Sequence, residues 1–182
     1  MSNPLQDRRT PQDFAASGQV IEISEKIGYF EQLAEIVAAD LGGLEPDKLP
    51  RDWRDSPVDG QLRFGFVDAQ DGVPALEGQV VATINAVCQR CLEPFHLSLT
   101  VELRLLFGGE QSAGDGGYEV WELQEDKLCP ADLVEEALIM AMPFSAMHEF
   151  DAHCVKADEV ERRTGKTIKP FADLKSQMDR EN

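Results

Sequence analysis

Between residues 96 and 105 apolar and polar side chains alternate without a break. Leu97, Leu99, Val101, Leu103 and Leu105 fall on one side, with Phe107 continuing the set, and His96, Ser98, Thr100, Glu102 and Arg104 fall on the other. A period of two belongs to a β-strand that buries one face. Sliding such a strand by one residue would turn its whole apolar set to water, so its register is strongly specified. Two other segments share this character. In residues 61–66 every second side chain is apolar, and residues 78–87 are rich in β-branched residues and need burial on both faces in places.

Helical spacing flanks these strands. Residues 18–23 predict a short opening strand, after which Phe30, Leu33, Ala34, Val37 and Leu41 form one stripe along a helix. Gly42-Gly43 ends that helix, and the Pro/Asp-rich stretch 45–59 reads as a loop. Residues 108–117 form a Gly-rich connector, and 118–123 read as an edge strand. Pro130 fits the first position of a helix reaching Met142, with Leu133, Ala137, Leu138 and Ala141 facing inward and Pro143 as its stop. This order predicts an α+β fold: a mainly antiparallel sheet or partly closed barrel, with an N-terminal and a C-terminal helix packed on it. Residues 1–17 read as a flexible tail, 18–154 as one domain, and 155–182 as a charged, flexible tail.

Charge narrows the partners. The 182 residues carry 34 acidic and 17 basic groups, a net charge of −17, which argues against a broad phosphate-binding surface. Residues 1–154 hold 28 acidic against ten basic groups, whereas 155–182 hold seven basic against six acidic. Contact with RNA is therefore expected to be local, through tail residues such as Lys169 and Lys175, or to run through a protein with a basic surface. Solubility alone accounts for the acidity equally well. No run of 18 apolar residues occurs and the N-terminus has no apolar stretch, which predicts a cytosolic protein with reduced cysteines and no membrane partner.

Cys88-Gln89-Arg90-Cys91 lies between two of the predicted strands. Two thiolates at this spacing can supply half of a tetrahedral zinc shell, or a redox disulfide where the first cysteine caps a helix. Pro94 and the alternating segment after it exclude such a helix, which disfavours redox catalysis. Zinc requires two further ligands, from Cys129, Cys154, His96, His148 and His153. Cys129 precedes Pro130 as a helix-entry residue and His96 lies on a polar strand face. The loop containing His148 and Cys154 is the better source, giving a candidate set of Cys88, Cys91, His148 and Cys154. The competing reading has two partly buried thiols at a turn, a solvated loop and no cofactor.

No Walker loop, dinucleotide fingerprint, nucleophile elbow or His-Glu-x-x-His motif is present, and no enzymatic activity or small-molecule substrate is expected. Glu135 and Glu136 are consecutive on a helix and point apart, so they do not form a catalytic pair. Arg90 at the turn is a candidate contact for RNA or a protein partner, or else pairs with Glu93. Trp53 and Trp121 read as core or edge aromatics.

The segment Cys88-Gln89-Arg90-Cys91-Leu92-Glu93-Pro94-Phe95 resembles the signature turn of the YceD family, the large ribosomal RNA subunit accumulation proteins. Gly78-Gln79-Val80-Val81-Ala82 before the turn, the acidic-apolar run from Asp132 to Pro143, His148 followed by Cys154, and the ending from Lys169 to Lys175 agree with it. The likeness runs from about residue 18 to 175. It implies a non-enzymatic role in synthesis, processing or stability of 23S ribosomal RNA, with the pre-50S particle, that RNA or a basic ribosomal protein as partner. The alternative is a cytosolic thiol-redox or zinc-binding protein using Cys88 and Cys91.

Overall fold

The computed structural model describes residues 3–67, 72–108, 117–123, 125–149 and 154. The chain divides into two units, Met1–His148 and Glu149–Asn182. The first is built around a five-stranded sheet in the order β1-β2-β3-β4-β5, comprising β1 (Val20–Lys26), β2 (Pro57–Phe66), β3 (Pro74–Val87), β4 (Pro94–Phe107) and β5 (Glu119–Trp121). Three helices accompany it, α1 (Pro11–Ser17), α2 (Glu31–Leu41) and α3 (Pro130–Ala141). The fold is α+β, with an open sheet rather than a closed barrel. In the second unit, Cys154 is helical and buried. Lys169 and Lys175, with the rest of 155–182, lie outside the described residues.

The alternation between 96 and 105 produces the strand it predicts. β4 pairs antiparallel with β3 from Ala75↔Leu106 to Val87↔Pro94, burying Leu99, Leu103, Leu105 and Phe107 and leaving His96, Ser98, Thr100 and Glu102 exposed. β5 is an edge strand, but it runs parallel to β4, through Leu105↔Glu119 and Phe107↔Trp121. The Pro/Asp-rich stretch is shorter as a loop than its composition suggests, because Trp53–Asp55 form a 3-10 turn and β2 already begins at Pro57. Trp53 is buried and its ring carries the Arg54 guanidinium at 4.5 Å.

α2 buries Leu33, Ala34, Val37 and Leu41, the predicted stripe. Burying a Leu or Val side chain contributes roughly 1.5–3 kcal/mol, and this packing, not the marginal stability of an eleven-residue helix, holds α2 in place. α3 buries Leu133, Val134, Ala137 and Leu138. Ala141, expected on that inner face, is exposed in the last turn, and Val134 belongs to the stripe instead.

Residues 3–17 belong to the folded unit, contrary to the flexible tail that their polar composition suggested. Thr10 Oγ1 accepts the Asp13 N–H at 3.1 Å and donates to the Asp13 carboxylate at 2.8 Å, Pro11 occupies the first turn, and Gly18 closes α1 at φ 58. Phe14 is fully buried and stacks on Phe64 with ring centroids 4.6 Å apart. Arg9 and Leu128 exchange backbone hydrogen bonds of 3.3 and 2.8 Å, which ties this arm to the residues preceding α3.

A candidate metal centre at the β3–β4 turn

Residues 88–93 connect the last β3 pair, Val87↔Pro94, and two backbone bonds shape them. The Cys88 N–H donates to the Glu93 carbonyl at 3.0 Å, and the Leu92 N–H to the Cys88 carbonyl at 2.8 Å. Closing the turn so tightly puts Leu92 at φ 59, the left-handed region that a side chain other than Gly, Asn or Asp rarely enters. Two remote groups fix the turn from outside. Asp40 near the end of α2 accepts the Val87 N–H at 3.0 Å, and the Ala146 carbonyl accepts the Gln89 N–H at 2.9 Å. The second bond draws the segment leaving α3 alongside the turn, and it delivers His148.

Three of the predicted ligands thereby meet. A Sγ atom from each of Cys88 and Cys91 and a ring nitrogen of His148 lie within 4.8 Å of one another. Cys91 Sγ and His148 Nε2 are hydrogen-bonded at 3.1 Å, and Phe95 meets the imidazole edge to face with centroids 5.5 Å apart. Cys88 is wholly buried, while Cys91 and His148 are half-buried. Burial pushes the Cys88 thiol up, but backbone N–H groups of Cys91, Arg90 and His148, with the Cys91 side chain, stabilise the thiolate more strongly. The balance lowers it from 9.0 to about 6. None of the four cysteines is in a disulfide.

Of the other candidates, His153 lies outside the described residues, and Cys129 and His96 fall elsewhere. Cys129 is buried at the entry to α3 and its Sγ–H donates to the Leu5 carbonyl at 3.5 Å. His96 is exposed on β4. Arg90 lies in the turn with Nη2 3.6 Å from Met147 Sδ, while Glu93, its suggested partner, pairs with Lys48 at 2.7 Å. Glu135 and Glu136 do diverge: Glu135 Oε1 accepts the Leu33 N–H at 3.0 Å, and Glu136 is exposed. No local pattern announces the roles of Asp40 and Ala146, which lie 47 and 57 positions from the groups they hold. Leu92 carries no glycine that would have marked its conformation.

Residues 76–176 match the family described as "Large ribosomal RNA subunit accumulation protein YceD". This segment contains most of β3, the turn, β4, β5 and α3, and it opens well after residue 18, where the likeness was expected to begin. The chain is also 29% identical over 126 residues to the large ribosomal RNA subunit accumulation protein YceD of Haemophilus influenzae, covering 64% of this chain and 72% of that protein. No solved structure matches the chain. On the extent of the family match, which takes in the cysteine turn and the strands that carry it, this chain belongs to the YceD family of large ribosomal RNA subunit accumulation proteins.

Proposed function

We propose that the protein is a non-enzymatic ribosome-biogenesis factor that supports synthesis, processing or stability of the 23S ribosomal RNA of the large subunit. The observation that carries this reading is the family match over residues 76–176. Membership carries a role in accumulation of large-subunit ribosomal RNA, and the name of the Haemophilus relative gives the same role for that protein. The protein acts in the cytoplasm, where ribosomal particles assemble; no helix among the described residues is long and apolar enough to cross a membrane.

It acts by binding. A net charge of −17 favours a basic ribosomal protein as the main contact and leaves RNA to a few positions, Arg90 in the turn and Lys169 and Lys175 in the tail. Co-sedimentation of the full chain with pre-50S particles at two salt concentrations tests this. Association is expected at low salt, and replacing Lys169 and Lys175 with Ala should lower the salt slope by roughly one per lysine that meets a phosphate. Protein that stays at the top of the gradient at low salt would remove the binding reading. An unchanged slope in the double variant would remove the tail contact alone.

A further inference from the structure

We infer that Cys88, Cys91 and His148 are ligands of a structural zinc site that locks the β3–β4 turn in shape. This stands apart from the ribosomal reading, since it rests on donor chemistry and geometry alone.

The donor set is the first argument. Two thiolates from one Cys-x-x-Cys turn and an imidazole suit tetrahedral zinc and offer nothing to hard, oxygen-seeking cations. Spacing is the second. Zinc–sulfur and zinc–nitrogen bonds of about 2.3 and 2.0–2.1 Å put tetrahedral ligand atoms about 3.5–3.8 Å apart. The atoms of Cys88, Cys91 and His148 already lie within 4.8 Å of one another, and the 3.1 Å Cys91–His148 contact needs to open by only about half an ångström when a metal replaces the shared proton.

The surroundings are the third argument. Backbone N–H groups of Cys91, Arg90 and His148 converge on the Cys88 sulfur, the outer-shell pattern that stabilises a metal-bound thiolate, and Phe95 orients the imidazole. A redox role fits less well, because Cys88 is wholly buried and a strand, not a helix, follows the pair. The other cysteine and histidine described in this unit lie elsewhere. Cys129 is held at the Leu5 carbonyl, and His96 is exposed on β4.

The test is metal analysis of the full-length protein purified without chelator, followed by cobalt exchange. One zinc per chain is expected. Cobalt-loaded protein should show the d–d bands of a tetrahedral site and thiolate charge-transfer absorbance. In Cys91→Ser that absorbance should fall by about a third to a half as one thiolate is lost, with zinc affinity falling further than the 10–100-fold cost of losing an outer-shell partner. Because Cys88→Ser can fail to fold, the wild-type protein is also stripped and reloaded, and zinc should raise its Tm. Metal-free protein whose Tm is indifferent to added zinc would overturn the site. Unchanged charge-transfer intensity in Cys91→Ser would overturn the assignment of the turn's thiolates as ligands.

Discussion

Leu92 occupies a left-handed backbone conformation at φ 59 while its side chain is 63% exposed, so it bears strain and loses little packing if removed. The conformation costs a residue with a Cβ about 1–2 kcal/mol, part of which glycine returns as greater freedom of the unfolded chain. Leu92→Gly is therefore expected to stabilise the protein by about 0.5–1 kcal/mol in urea unfolding. A loss of stability would show that the exposed side chain makes contacts that outweigh its strain. Cys88 gives a second prediction at this scale. Its thiol is lowered from 9.0 to about 6 by N–H groups that exist only in the folded turn, so between these values the unfolded chain binds a proton that the folded one does not. In metal-stripped protein, stability should rise with pH across that window, the contribution being complete above 9 and lost as pH falls through about 6. Stability that is flat from pH 6 to 9 in wild type, and equal in slope in Cys88→Ser, would exclude the thiolate.

Elements in this fold are held by groups far away in sequence. Phe30 precedes α2 and its side chain provides no cap, and the Leu33 N–H is satisfied by Glu135 from α3. Glu135→Ala should cost about 1 kcal/mol, as loss of an N-cap does, and chemical denaturation of the variant measures it. β2 and β3 approach closely at two glycines. A Cβ on Gly78 would lie 2.6 Å from the Gln61 carbonyl oxygen, and one on Gly60 would overlap the Gln79 carbonyl. Gly78→Ala should destabilise by about 1–3 kcal/mol, and a neutral result would mean that the strands separate freely. These dependencies explain what the sequence could and could not disclose. β4 and α2 follow from local period, since one face of each is buried. Helix α1 was equally marked, by Thr10-Pro11-Gln12-Asp13 and Gly18, but it contributes little more than Phe14 and Ala15 to the core, and its polar composition hid it. At the site, Cys88 and Cys91 are legible as a pair and His148 as a candidate. What brings His148 to them is a backbone bond from Gln89 to Ala146, and backbone groups leave no trace in residue identity.

As a whole molecule the protein is strongly acidic, with its basic residues concentrated after 154 and its family match centred on β3, β4 and α3. Asp40 and the segment leaving α3 hold the turn that carries Arg90. The measurement that bears most directly on this account is the ratio of 23S to 16S ribosomal RNA, with subunit profiles, in cells depleted of the protein. The account predicts a fall in 23S RNA and in large subunits relative to small ones, restored by the wild-type chain. An unchanged ratio under complete depletion would contradict it.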